Sequence, residues 1–403
     1  MLSKFNIEII ETFLLSILDG SNSSRVAMII RGLLRFLSWI FNLVVQIRLW
    51  LYKHRILRGN TLGCQVISVG NLTVGGTGKT PVVEVFARNL QKQGRKVAIL
   101  SRGYKSRSIP LWQKLWLQIT NRSIELPPRV VSDGKQILLD SHTAGDEPYM
   151  LASNLPGVIV VVDKDRVKAG KYAIRKMGCD TLILDDGFQY LKLGNRLDIA
   201  LVDRTNPFGG GYVLPRGLLR EPIKNIRRAG FIFITKCDES GAPELKKRLR
   251  ELNPTAEISE CRHQAKFLQT LFGDEQFPLN YLSGLKIAAL SAIAVPESFE
   301  SALESFGAEI VYRRRFADHH RFTQQEIINI LNDAEKAGAE ALLTTEKDAV
   351  RFPYFERRDF PMYYMRVEIE MLSGEEAFMK WISRICFKQA QWKPNNSIHE
   401  KIE

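Results

Sequence analysis

Between the apolar run CQVISVG and a stretch with helical spacing lies VGNLTVGGTGKTP (69–81), whose residue types suit the holding of a polyphosphate. Gly75, Gly76 and Gly78, with Thr77 among them, let backbone N–H groups close around phosphate oxygens, and the helix that follows adds the positive end of its dipole. Lys79 has the reach to meet the β- and γ-phosphates of a nucleotide, and the Thr80 hydroxyl can ligate Mg²⁺. The strict phosphate-loop pattern has glycine five residues before Gly78, where this chain has Thr73. A second acidic element fits the same task. Asp185 and Asp186 end the apolar run TLIL, and the carboxyl ends of parallel strands line the ligand crevice of such sheets, so one of the pair is expected to hold the metal. Gln189, three residues on, is a plausible supporting residue.

Other groups have chemistry to offer with less certain roles. Asp146 and Glu147 precede Pro148 at a helix start, where capping alone would account for an aspartate. The pair His319–His320 follows an apolar segment, and either ring suits proton transfer. Arg102, Arg166, Arg216 and Arg220 are positioned in sequence to clamp phosphate oxygens or an anionic headgroup. TKCD (235–238) resembles the base-reading loop of GTPases, and Lys347 and Asp348 offer further charge near a nucleotide.

The elements that must carry these residues alternate. Apolar runs at VIVVV (158–162), TLILDD (181–186), LDIALVD (197–203) and GFIFIT (230–235) are separated by helical stretches, which predicts a parallel sheet with helices on both faces, the α/β architecture of P-loop nucleotide enzymes. After a less regular region near 255–283, a second βα series starts at KIAALSAIA and includes ALLTT (341–345) and PMYYMRVEI (361–369), predicting a smaller α/β lobe. The expected division is an N-terminal helix at 26–55, a core at 60–255 and a lobe at 284–387. Residues 105–128 read as an insertion or lid, and the tail after Lys388 as polar and frayed.

The N-terminal helix has its own signature. Arg31, Arg35, Ser38, Asn42 and Gln46 recur on one face, while Leu34, Phe36, Leu37, Trp39, Ile40, Phe41, Leu43, Val44 and Ile47 occupy the other. The longest uncharged piece, FLSWIFNLVVQI, is short for a bilayer span. An amphipathic helix lying in the headgroup layer with its polar stripe in water is the expectation, with packing on its own domain and tilted insertion as alternatives. The formal charge of +13 over 403 residues calls for an anionic partner. An anionic membrane fits better than nucleic acid, for which no aromatic-basic module is present. Five scattered cysteines without CxxC spacing point to a reducing compartment and no structural metal site.

GNLTVGGTGKTP followed by LSRGY (100–104) resembles the tetraacyldisaccharide 4'-kinase family of lipid A biosynthesis. Matching blocks continue in order through RVVSDG (129–134), AGDEPYMLA (144–152), VDKDR (162–166), LILDDGFQ (182–189), LPRGLLREP (214–222), FADHHRFT (316–323) and TTEKDAVR (344–351). The chain departs from the pattern at Ala292 and Val295, and its first ~25 residues and the 105–128 stretch look longer than the family needs. The resemblance implies an ATP- and Mg²⁺-dependent kinase acting on the 4'-hydroxyl of a tetraacyldisaccharide 1-phosphate to form lipid IVA, on the cytoplasmic face of the inner membrane as a peripheral or monotopic protein. It further implies that Asp146 receives the hydroxyl proton and that His319 supports it. A kinase of another small-molecule or lipid hydroxyl and a GTPase-like switch are the competing readings. Sequence leaves the oligomeric state open.

Overall fold

The computed structural model describes residues 24–103, 127–354 and 359–387. The first 23 residues, most of the 105–128 insertion and the tail after Lys388 lie outside the described residues. By internal contacts the chain forms two units: Met1–Lys79, Ile183–Arg262 and Met371–Glu403 make the first, and Thr80–Leu182 and His263–Glu370 make the second.

In the first unit, β1 (Gln65–Asn71), β6 (Arg196–Asp203), β7 (Ala229–Thr235) and β8 (Glu257–Thr270) pair in parallel in the order β8-β7-β6-β1. β1 is buried beyond Gln65 and β7 everywhere but Gly230, as a sheet covered on both faces requires. The expected strands are all present. β8 was not expected. Its sequence, EISECRHQAKFLQT, lacks alternation because polar residues are buried with partners. Glu260 accepts from Ala242 N and Lys246, and Ser259 donates to the Gly374 carbonyl.

In the second unit, β2 (Val97–Ser101) pairs in parallel with β4 (Ile159–Val162), and β3 (Arg129–Asp133) closes that edge antiparallel to β4. The later series, β10 (Lys286–Ser291), β11 (Glu309–Arg315), β12 (Ala341–Thr345) and β13 (Met362–Ser373), runs parallel in the order β11-β10-β12-β13. A short strand, β9 (Gln276–Phe277), pairs antiparallel with the far end of β8. β5 (Thr181–Asp185) crosses the boundary between the units. The second unit's helices have legible ends. Thr323 and Glu326 form a reciprocal capping box at the helix Gln324–Lys336, and Asp165 caps Arg166–Met177, which stops at Gly178 in the left-handed conformation.

Helix α1 (Arg25–Lys53) has 29 residues, is capped by Ser24, and is long and apolar enough by length and composition to cross a bilayer. Its packing reverses the expected orientation. The polar stripe faces the protein. Ser38 is buried and donates to the Val213 carbonyl, Gln46 reaches Asn225 at 3.4 Å, and Arg48 donates to the Gln189 carbonyl. The apolar face turns outward, with Phe36, Trp39, Leu43, Val44, Ile47 and Trp50 all exposed and Phe41 alone of the aromatic residues leaning on the core. Hydrogen bonding explains the inversion, since the stripe satisfies buried carbonyl and amide groups that an apolar face would leave unpaired.

A buried charge network organises the second unit. Arg366 on β13 pairs with Glu84, on helix α2 (Lys79–Lys92), and with Glu346, in the turn after β12, while Asn154 donates to Glu346 at 2.5 Å. Burial pushes both carboxyls up, and the Arg366 cation opposes it. Arg366→Ala is expected to destabilise the protein by about 3–5 kcal/mol, because two buried carboxylates lose their shared cation. Raised carboxyl pKa values cost stability as pH rises through the window above the ordinary carboxylate value, so the loss should be largest near neutrality and shrink on acidification. Urea unfolding at several pH values checks both the size and the sign.

Candidate functional site

The phosphate loop in the first unit is shaped by glycine and tied down by its neighbours. Gly75 and Gly78 take positive φ angles of 118° and 76°, a backbone that L side chains rarely adopt. Gly70 meets a different demand, because a Cβ there would lie 2.8 Å from Phe188. Val74 N donates to the Leu218 carbonyl at 2.7 Å and Arg220 N to the Leu72 carbonyl at 2.6 Å, so the LPRGLLREP segment braces the first half of the loop. Thr77 is buried, its carbonyl accepts from Thr235 Oγ1 at 3.0 Å, and its own Oγ1 has no hydrogen-bond partner among the described residues.

Asp186 sits against this loop at φ 52°. Arg220 Nη1 bonds both of its oxygens, at 2.9 and 2.8 Å, and Lys79 Nζ stands 3.9 Å from Oδ1. Gln189 donates to the Asn71 carbonyl at 2.9 Å and lies 3.4 Å from Arg220, closing the ring between β1 and the DDGFQ turn. Asp185 ends β5 and is buried. Arg196 supports the turn from below by donating to the carbonyls of Gly187, Phe188 and Tyr190 while paired with Asp198 at 3.0 Å.

A second constellation lies in the second unit. Asp146 opens helix α3 (Asp146–Asn154). Its Oδ1 accepts from Arg321 at 2.7 Å, and its Oδ2 accepts from Arg351 Nε at 2.8 Å and lies 3.4 Å from His319 Nδ1. Burial works against the charged carboxylate, but Arg351 and then Arg321 outweigh it and hold Asp146 below the usual carboxylate range. His319 adopts φ 67°, a conformation in which non-glycine residues gather at functional sites. His320 turns away, stacking on Phe316 at 4.4 Å and meeting Glu326 at 3.2 Å. Of the two histidines, the structure brings His319 to Asp146.

A sequence profile of the tetraacyldisaccharide-1-P 4'-kinase family matches residues 30–386. The chain belongs to that family. A tetraacyldisaccharide 4'-kinase of Anaeromyxobacter dehalogenans is 41% identical over 314 residues, covering 77% of this chain and 78% of that protein. One from Halothermothrix orenii is 34% identical over 379 residues, covering 90% and 94%. Among solved structures, LpxK from Aquifex aeolicus, crystallised in complex with ATP, is similar at 30% identity with a TM-score of 0.68, covering 88% of this chain and 99% of that one.

The residues singled out from sequence do not all come together. The structure gathers Lys79, Asp186, Gln189 and Arg220 at the glycine loop and joins Asp146 to His319. Thr80, buried, follows Lys79 in the first turn of α2. Arg216 lies with Arg35 over the Tyr212 ring, at 5.0 and 5.6 Å. Arg102 is exposed just after β2, Arg166 is buried at the start of its helix, and Glu147 stands in the first turn of α3. In TKCD, Asp238 is held by Arg204 at 2.6 Å and Lys236 by Asp203 at 2.6 Å, so the groups a guanine would need are engaged. Sequence reasoning missed Arg321, Arg351 and Arg196. The first two lie inside the blocks FADHHRFT and TTEKDAVR, and that placement was the available signal.

Proposed function

We propose that this protein transfers the γ-phosphate of ATP to the 4'-hydroxyl of a tetraacyldisaccharide 1-phosphate, and that the Asp146–His319 pair receives the hydroxyl proton. The observation that carries the reading is the pairing of a glycine loop with Asp186, Lys79 and Arg220 in a chain of this kinase family. The loop fits a nucleotide on its own evidence. Thr77 Oγ1 is a buried hydroxyl at the phosphate loop without a hydrogen-bond partner among the described residues, and two positive-φ glycines free backbone N–H groups for phosphate oxygens.

Thr80, Asp185 and Asp186 are the residues that would hold Mg²⁺, an assignment consistent with hydroxyl and carboxylate donors to a hard cation. The ion would screen the phosphate charge that builds during transfer. Lys79 adds a mobile cation, and Arg220 restrains Asp186. Two guanidinium groups draw on the Asp146 carboxylate, which makes it a poor proton acceptor and a good anchor. His319 is therefore the acceptor and Asp146 the group that steadies the imidazolium. Arg102, Arg166 and Arg216, with Glu147, are assigned to the substrate side. Residues 60–255 would supply the glycine loop and Asp146, and 284–387 would supply His319.

The outward apolar face of α1 would rest in the cytoplasmic leaflet of the inner membrane, a monotopic placement consistent with the polar stripe being committed to the protein. Replacing Trp39, Leu43 and Ile47 by serine is expected to weaken binding to anionic vesicles by roughly 1.5–3 kcal/mol per side chain while leaving ATP binding unchanged. Vesicle co-sedimentation alongside nucleotide titration measures the two separately. A triple variant that binds vesicles as the parent does would remove α1 from the membrane.

A further inference from the structure

The best-connected side chain of the second constellation is Arg351, whose contact with His319 the proposed mechanism leaves unused. Arg351 follows the single helical turn Glu346–Ala349, and its side chain is 0% exposed. Nε donates to Asp146 Oδ2 at 2.8 Å, and Nη1 donates to Asp348 Oδ1 at 2.8 Å and to the Ala292 carbonyl at 3.1 Å. Nη2 stands 3.0 Å from His319 Nδ1. Asp348 is itself buried and fixed, accepting from Ala292 N at 2.9 Å and from Thr345 Oγ1 at 2.7 Å. The Ala292 carbonyl also accepts from His319 N at 3.2 Å. One guanidinium thus grips the carboxylate, the turn that carries the histidine backbone, and the imidazole edge.

Chemistry narrows what this contact means. A guanidinium has only N–H donors and does not lose its proton in a protein, so a ring nitrogen facing Nη2 at 3.0 Å must accept. Nδ1 is then unprotonated and the neutral ring carries its proton on Nε2. The 3.4 Å approach of Nδ1 to Asp146 Oδ2 sets two acceptors side by side, bridged by the same guanidinium. Productive proton uptake at Nε2 needs the other tautomer, with Nδ1–H turned to Asp146 and the Nε2 lone pair open, as in a histidine oriented by a carboxylate. Other charged groups near the ring include Lys347, 3.4 Å from Nε2, Asp318, 3.9 Å from Nε2, and Arg321 across Asp146. The two sets of contacts favour opposite tautomers: Arg351 and Asp318 the Nε2–H form, Asp146 and Lys347 the Nδ1–H form.

We propose that Arg351 is a positioning residue that sets the His319 tautomer, holding the ring in the Nε2–H form by donating to Nδ1 and ceding Nδ1 to Asp146 in the competent state. The inference rests on the assignment of His319 as proton acceptor, and the test separates the two. ¹⁵N spectra of histidine-labelled full-length protein in detergent micelles read the tautomer directly and need no turnover, with His319→Gln assigning the signal. The Nδ1 resonance is expected at the unprotonated position in the parent protein and at the protonated position in Arg351→Gln. Arg351→Lys, which keeps the charge without the planar fork, should lower kcat with the KM for ATP unchanged. Thermal unfolding identifies any variant that fails to fold, and Arg351→Lys then carries the test through its own ¹⁵N pattern, which should depart from the parent's. A parent Nδ1 that is already protonated, or folded variants that lose rate with the tautomer unchanged, would overturn the proposal. His319→Ala with near-parent turnover would instead overturn the acceptor assignment while leaving the ¹⁵N result standing.

Discussion

Replacing Lys79 by alanine is expected to lower kcat by about 10³-fold with the fold intact, as befits loss of a preorganised cation from a phosphoryl-transfer site. Lys79 opens α2 with its side chain largely shielded and its ammonium 3.9 Å from Asp186. The ion pair is too long to contribute much to stability, and the side chain has little other reason to be held there. In the free protein the lysine shares Asp186 with Arg220, so the carboxylate keeps a partner when the lysine is removed. The melting temperature should move little while turnover collapses. Single-turnover measurements with saturating lipid acceptor distinguish slow transfer from weak nucleotide binding. A folded Lys79→Ala enzyme with near-parent turnover would contradict the phosphate-loop assignment.

His319→Ala is expected to cost about 10²–10⁴ in kcat, the range for loss of general base catalysis, with the KM for ATP nearly unchanged. The residue that touches the acceptor hydroxyl should govern the rate and not the nucleotide. Asp146→Asn should follow in the same direction. Two guanidinium groups face that carboxylate, so neutralising it leaves excess positive charge beside the ring. Folding should also respond. Asp146 has a folded-state pKa held below its usual value, so its stabilisation is present above the ordinary carboxylate range and is lost as pH falls through the depressed value. The Asn variant should lack that acid-side dependence.

Much of this architecture was legible in the residues. GGTGKT after an apolar strand named the phosphate loop, DD at the end of TLIL named the acidic turn, and runs such as VIVVV and FIFIT could only be buried parallel strands. The losses have physical causes. β8 hid because Ser259 and Glu260 are buried with partners, which breaks the hydrophobic pattern. The orientation of α1 was inverted because amphipathicity gives two faces without saying which meets protein. Ser38 and Gln46 look like part of a water-facing stripe until their carbonyl and amide partners at Val213 and Asn225 are seen. Arg351 and Arg366 were not singled out, since nothing local marks an arginine whose carboxylate partners lie up to 282 residues away. Arg216, read from sequence as a clamp for phosphate or an anionic headgroup, has its guanidinium over the Tyr212 ring, a contact no local pattern announces. Charged side chains find their meaning in tertiary pairing, which local periodicity does not encode.

The proposed kinase carries both a nucleotide loop and a base for a lipid sugar hydroxyl. The most direct measurement is transfer of ³²P from γ-labelled ATP to tetraacyldisaccharide 1-phosphate in mixed micelles by purified protein with Mg²⁺, with the acceptor product resolved by chromatography. Label is expected on the 4'-position of the disaccharide, dependent on Lys79 and His319, with GTP a poor donor. Label released only as inorganic phosphate at an undiminished rate, or transfer that survives in the folded Lys79→Ala and His319→Ala proteins, would contradict it.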